Sequence, residues 1–281
     1  MRKVKIITDS TNDLSDVILQ KYDISVIPLH VDFGGESYRD GVDLLPKDLF
    51  KLVEEKNMLP KTAAPSPFNF SEVYREYVEQ GQDIIVITIS SHMSSTYQNA
   101  VLASEEYPEG RIFVVDSQNL STGIGSLVVL AAEYALQGLE AKEIADRVQR
   151  LVPKVQVSFV IDTMEYLYKG GRCNVLQSIM GSMLKIRPMI SVDSGKMFMK
   201  DKVRGDKKKG LDKMLANTAK DSIDSERIFI THSLGSEDEA LYLKSILEMS
   251  FPEKEIITTD AGCVISSHCG QKTIGVIYIR Q

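Results

Sequence analysis

Apolar residues fall in short β-branched bursts, each running into a hydroxyl- or carboxylate-rich turn and then an amphipathic stretch. Val4, Ile6 and Ile7 form the first burst, closed by Asp9-Ser10-Thr11-Asn12-Asp13, a polar turn suited to capping the short helix that follows. Val86, Ile87 and Ile89 form the central one, inside the stretch Asp83 to Ala100. Ile112 to Val115 form the third, ending at Asp116. Runs this continuously apolar read as parallel strands covered on both faces. Three strand–turn–helix units in succession predict a doubly wound α/β domain. Residues Ser25 to Asp32 predict a further strand, and Gly34-Gly35 turns Leu29 to Tyr38 into a small hairpin.

Helical spacing and breakers place the remaining elements of the first half. Helices are predicted over Pro46 to Lys56 and from Pro67 to Gln80, while Pro65 and Pro67 keep the segment before Ser66 irregular. Ser95 and Gln98 have capping-box spacing, so a helix is predicted to start at Thr96. Another runs from about Ser121 to Gln137. Its Gly123 and Gly125 make only a partial G-x-G, with Val128 at the third glycine position, which points to close helix packing rather than a dinucleotide fingerprint. A further helix spans Leu139 to Leu151. Pro153 marks the predicted boundary between a domain over 1–153 and a second α/β domain over 154–281.

In the second half a strand from Val155 to Ile161 leads to a short helix stopped by Gly170-Gly171, leaving Arg172 near the start of the next helix. There Val175, Leu176, Ile179, Met180, Met183 and Leu184 share one face. Six of the eleven methionines lie between Met164 and Met199, which suits either an apolar tunnel or an ordinary core. A hairpin is predicted around Asp193-Ser194-Gly195-Lys196, then a helix to Ala219, a strand at Arg227 to Thr231 and a helix from Ser236 to Glu248. A closing strand, Thr273 to Ile279, follows a Ser-Ser-His-Cys-Gly turn that carries His268.

Length and composition narrow the function classes. At 281 residues the chain can bury a large core. A net charge of -6 argues against a general nucleic-acid or membrane-surface binder, and the absence of Trp disfavours a base-stacking platform. Cys173, Cys263 and Cys269 are odd in number and lack C-x-x-C spacing, which points to a reducing cytoplasm. The first apolar run is too short for a signal-peptide core, and no run approaches the ~20 residues of a membrane span, so no stable membrane insertion is expected.

The candidate chemistry gathers at the central turn. A strand's carboxyl end feeding a helix amino end is where open α/β sheets bind ligands, and the bare N–H groups there favour an anion. Serines rather than Gly or Lys suggest a carboxylate. Ser94 and Ser95 are the candidate ligands, Ser95 having a competing role as helix cap, and Thr62 is placed by chain order at the same sheet edge. His268 can donate a hydrogen bond to an anion, and Arg172 can pair with one or form a surface ion pair. Arg204 and the lysines at 207–209 read as a solvated face or as a docking surface for an acidic partner. No P-loop, H-E-x-x-H, G-x-S-x-G or metal-ligand spacing is present in the sequence, and no cofactor is predicted.

Over essentially its whole length the chain resembles the DegV family of bacterial fatty-acid-binding proteins. The resemblance rests on Ile7-Thr-Asp-Ser-Thr, Thr62-x-x-Pro-Ser66, Ile89-Ser-Ser-x-x-Ser-Ser-Thr-Tyr-Gln-Asn-Ala100, Val115-Asp-Ser-Gln118, Glu165-Tyr-Leu-Tyr-Lys-Gly-Gly-Arg172, Arg187-Pro188 and Ser267-His268-Cys269-Gly270. It implies a two-domain DegV-like α/β fold that buries one long-chain fatty acid, with no catalytic residue of its own. Thr62 and Ser94 match the family's carboxylate-holding positions; Ser95 stands where the family often has glycine, leaving both serines as candidates. Arg172 and His268 match the polar mouth of the pocket, and Ile179, Met180 and Met183 are expected to line the acyl chain. Family members also serve as the binding subunit of a fatty-acid kinase, presenting the carboxylate to a separate ATP-dependent subunit, and Arg204 matches a position implicated in that presentation. The tail Cys269-Gly-Gln-Lys-Thr-Ile departs from the family's more glycine-rich pattern after the histidine. Two other readings stand beside this one: an enzyme acting on a small anion with His268 as acid or base, and a regulatory sensor whose lipid occupancy controls a partner.

Overall fold

The computed structural model describes residues 2–172 and 186–281, and counts of elements refer to those residues. Ile179, Met180 and Met183 lie outside the described residues.

The β-branched bursts form a parallel sheet because each carries apolar side chains for both faces. β1 (Val4–Asp9) pairs with β2 (Ser25–Ile27), the short helix α1 (Asp16–Lys21) lying between them in the chain. The single strand predicted over Ser25 to Asp32 is divided at Pro28, which has no N–H to continue the ladder. Beyond it β3 (His30–Phe33) and β4 (Glu36–Arg39) make the glycine-turned hairpin of a separate three-stranded sheet. After α2 (Pro46–Lys56), β5 (Lys61–Ala63) joins the other edge of β3, pairing Thr62 with Val31. The segment before Ser66 is therefore regular as far as Ala63, and irregularity starts only at the prolines.

The chain then returns to the first sheet through α3 (Pro67–Glu79), β6 (Asp83–Thr88), α4 (Thr96–Ser104) and β7 (Ile112–Asp116), giving the parallel order β2-β1-β6-β7. Ile7, Ile84 and Val86 face α3 and α4, while Ile6, Ile85 and Ile87 face α5 (Thr122–Leu136) and α6 (Ala141–Leu151). This is the doubly wound arrangement expected. The strand order reverses between β1 and β6, so their carboxyl ends open a crevice where such sheets bind ligands.

The second large sheet has the order β10-β9-β8-β13-β11-β12. It contains β8 (Val155–Val160), β9 (Ile186–Asp193), β10 (Lys196–Arg204), β11 (Arg227–His232), β12 (Glu255–Asp260) and β13 (Ile274–Ile279). β13, the last strand in the chain, is an interior strand, antiparallel to both β8 and β11. Between β8 and β9 lies α7 (Glu165–Gly170), ended by Gly171 in the left-handed region. α8 (Lys207–Thr218) and α9 (Glu237–Ser250) cover one face of the sheet. The other face packs on α5, so that helix lies between the two large sheets. Gly123 to Val129 of α5 are all buried, as a helix enclosed on every side requires. Gly125 explains the partial G-x-G: a Cβ there would lie 2.7 Å from the Asn12 carbonyl oxygen, so glycine lets α5 approach the turn after β1.

His268 does not lie in a turn. It lies in the last turn of α10 (Cys263–Cys269), a short helix that packs Cys263 and Val264 against Leu29, Val31, Leu49 and Phe50. A helix this short is marginal on its own. Its free N–H groups are taken up from far away in the chain: Gly262 N donates to Asp13 Oδ1 at 2.8 Å, Cys263 N to Asp40 Oδ1 at 2.8 Å, and Val264 N to Asp40 Oδ2 at 3.3 Å.

Candidate functional site

Three strand ends build the turn after β6. Ile89 N donates to Asp9 Oδ2 of β1 at 2.7 Å, and Ser91 N donates to Asp116 Oδ1 of β7 at 3.2 Å while the Ser91 hydroxyl reaches Asp116 Oδ2. Ser90 Oγ donates to the Gly195 carbonyl in the β9–β10 turn at 2.8 Å. The acidic residues of this region are thus spent holding backbone, which leaves the later hydroxyls to face outward.

The capping box predicted at Ser95 is absent. Ser95 has φ -76° and ψ 2°, makes no side-chain cap bond and is exposed. The local bonds belong to Ser94, whose Oγ accepts from Thr96 N at 3.3 Å and shares a hydrogen with Thr96 Oγ1 at 2.8 Å. A complete capping box occurs at Ser66 and Asn69 instead, at the start of α3.

A cavity of about 390 Å³ opens beside this turn, and Thr62, Ser94, Ser95, Arg172 and His268 all line it. Its apolar wall comes from Leu29, Ile89, Met93, Leu120, Met197 and Ile265. Leu120, Met197, Ile265 and His268 also line a second, narrower chamber of about 60 Å³. That chamber runs in among Val157, Phe159, Leu167 and Ile277 at the inner face of the second sheet. A polar antechamber and an apolar inner chamber therefore share a wall. Arg204, at the end of β10, is exposed and is not among the residues lining either space.

The polar groups are mostly neutral. Thr62 Oγ1 and His268 Nε2 lie 2.9 Å apart, joining β5 to α10. Burial of the imidazole, assisted by the nearby Arg172 charge, lowers the His268 pKa to about 4, so the ring is neutral at physiological pH. Its Nδ1 is out of contact with solvent and has no hydrogen-bond partner among the described residues. Arg172 brings a cation to the mouth of the cavity, its Nη1 donating to the Gly170 carbonyl at 2.7 Å and its Nε to the Met93 carbonyl at 3.3 Å. Neutral hydroxyls backed by one cation suit a carboxylate, which needs donors and some compensation for lost hydration.

Behind α10 lie three buried carboxyl groups: Asp9 and Asp13, whose turn the sequence suggests only as a helix cap, and Asp40, which no motif marks. Burial raises all three pKa values, that of Asp13 to about 8, and repulsion from the neighbouring carboxyl groups adds to the effect at Asp9 and Asp13. Asp9 caps a 3-10 turn at Ser10–Asn12 rather than α1, while Asp13 also accepts from the Ser121 hydroxyl. Among the described residues no group of three His, Cys, Asp or Glu is arranged to hold a metal ion. Among them, too, no helix is long and apolar enough to cross a membrane. The signal for Asp13 and Asp40 was slight: two acids in polar turns, with nothing in the sequence linking either to residues 262–264.

Comparison with known proteins agrees with this architecture. The DegV family model, described as that of an uncharacterised protein family, matches residues 3–281. A DegV domain-containing protein of Clostridium acetobutylicum is 34% identical over 282 residues, covering 100% of both chains. A Thermus thermophilus structure, described as fatty acid binding of a DegV family protein, superposes with a TM-score of 0.91 at 31% identity, covering 100% of both chains. A Thermotoga maritima protein whose structure is described as revealing a fatty acid binding function gives 0.84 at 30% identity, again covering 100% of both chains. From the strand ends that build the turn to the helix that carries His268, the chain belongs to the DegV family.

Proposed function

We propose that this protein binds one long-chain fatty acid, its carboxylate in the outer cavity and its acyl chain running past Leu120, Met197 and Ile265 into the inner chamber. Thr62 and Ser94 hold the carboxylate, with Ser95 at the rim and Arg172 and His268 at the mouth. One observation carries the reading: a polar-lined cavity and an apolar chamber share their wall, which is the shape of an amphiphile with one polar end. Burying about fourteen methylenes at ~0.8 kcal/mol each supplies on the order of 11 kcal/mol before the costs of binding. The head-group contacts then need only orient the ligand and offset desolvation. The fatty-acid-binding descriptions of the Thermus and Thermotoga neighbours support the same assignment.

The reading extends to a carrier that works in the cytoplasm and presents the carboxylate to a separate ATP-dependent kinase subunit, with the exposed Arg204 in the docking surface. It also divides the chain near Pro153 into two domains that share α5. The protein is not itself an enzyme in this account. The Thr62–His268 contact has the outline of a nucleophile and its base, but the imidazole's pKa of about 4 makes it a weak base, and no group among the described residues orients its Nδ1. Native mass spectrometry of the purified protein, before and after delipidation and incubation with stearate, tests the proposal. One acyl chain per protein is expected; a protein that stays empty with stearate and with unsaturated chains contradicts it. Addition of a kinase subunit and ATP to the loaded protein should yield acyl phosphate, and an inert mixture removes the carrier role while leaving binding intact.

A further inference from the structure

The back of the His268 ring is closed by α7. A Cβ built on Gly170 would fall well inside contact distance of His268 Nδ1, and would stand 3.1 Å from Cε1 and 3.4 Å from Cγ. Those last two atoms flank Nδ1 in the ring, and both lie about as far away as an approach along the in-plane axis of the nitrogen requires, farther than an approach from above the ring would leave them. The Cα hydrogen of Gly170 therefore points along the direction in which Nδ1 would carry a proton. Nδ1 is shielded from solvent and has no acceptor within reach among the described residues. A proton there would be a buried donor without a partner, pressed against a C–H group, whereas a bare lone pair meets that C–H without conflict.

We infer that Gly170 is a positioning residue which fixes His268 as the Nε2–H tautomer, so that Thr62 accepts the imidazole hydrogen and turns its own hydroxyl hydrogen toward the cavity. The inference rests on the carboxylate reading above and deepens it. Either tautomer allows the 2.9 Å Thr62–His268 contact, but they present opposite faces to a ligand. With Nε2 protonated, Thr62 is a donor and the cavity selects an ionised carboxylate. With Nδ1 protonated, Thr62 donates to the ring and offers the ligand only lone pairs. The same glycine also places the carbonyl to which Arg172 donates at 2.7 Å, so one backbone position sets both the neutral donor and the cation at the mouth.

The test uses the full chain labelled with ¹⁵N-histidine, which carries four histidines, the His268 signals being assigned by their loss in His268→Asn. Two-bond ¹H–¹⁵N correlation should show His268 with its proton on Nε2; a proton on Nδ1 would overturn the inference without any need for a glycine variant. In a second arm, Gly170→Ala should weaken stearate binding about tenfold in the wild-type background and less than about twofold in His268→Ala, because the lost contact is one buried donor. Equal losses in the two backgrounds would contradict the positioning role. Unchanged stearate binding in His268→Ala would overturn the carboxylate reading instead. An Nε2–H spectrum alongside that result confines the failure to the reading, whereas an Nδ1–H spectrum with binding weakened in His268→Ala confines it to the inference.

Discussion

The serine turn after β6 and the helix α10 face the same cavity but are built differently. The turn follows from its own sequence: a β-branched strand ends, hydroxyls follow, and a helix begins at Thr96. Its backbone is fastened by Asp9 and Asp116, which end the two strands flanking β6. α10 has too few residues to stand alone, and its N–H groups are held by Asp13 and Asp40, residues separated from it by 249 and 223 positions. Half of the site is a local motif and half is a long-range construction. Two buried carboxyl groups hold the far end of the helix that carries His268, beside the apolar packing of Cys263 and Val264.

The largest effect is expected from the long-range half. Asp40→Ala removes the acceptor for Ser10 Oγ, Cys263 N and Val264 N and leaves buried donors unpaired, so a loss of about 3 kcal/mol is expected from urea unfolding. Stearate binding should fall with it, since α10 carries His268; an α10 that keeps its place without Asp40 would leave both values near wild type. On the local half, the Thr62→Ala/Ser94→Ala double variant should still fold cooperatively, at a cost of about 1 kcal/mol for the lost Ser94–Thr96 bond, and lose about 2 kcal/mol of stearate binding free energy by calorimetry. Equal affinity would show that the head group sits elsewhere.

A pH experiment separates the carboxyl groups from the imidazole. Burial raises Asp13 to about 8, so its contribution to stability is greatest below its ordinary value and declines as pH rises toward 8. His268 has the opposite sign, since its depressed value of about 4 gives stability that is present above 6.5 and lost as pH falls toward 4. Between pH 6.5 and 8 the decline should therefore be shallower in Asp13→Asn, which keeps the shape and removes the titration. Parallel stability curves for the two proteins in that window would contradict the assignment. The smallest effects concern caps: Ser66→Ala should cost about 1 kcal/mol, and Ser95→Ala should stay within about 0.5 kcal/mol because Ser95 caps nothing.

These differences track what was legible in the sequence. The parallel sheet, its two layers of helices and the opening at the β6 turn follow from runs of neighbours whose periodicity fixes their faces, and they appeared as expected. Thr62, Ser94, Ser95, Arg172 and His268 were named from motifs and resemblance, and all five line one cavity. What was misread depends on partners distant in sequence. The strand over Ser25 to Asp32 is divided because its two parts join different sheets. Ser95 yields capping to its neighbour because Ser94 is the one turned toward Thr96. The helical setting of His268, the service of Asp13 and Asp40 to α10, and the fit of Gly170 against an imidazole nearly a hundred residues later have no local signature at all.

In the proposed function a carboxylate sits between Thr62 and the serine turn. The direct measurement is the ¹³C resonance of carboxyl-labelled stearate titrated into delipidated protein. A single bound signal is expected at the shift of an ionised carboxylate, held through pH 6.5 to 8, and displaced in Thr62→Ala and in Ser94→Ala. A bound signal indifferent to both substitutions, or one that titrates as freely as stearate in micelles, would contradict the account.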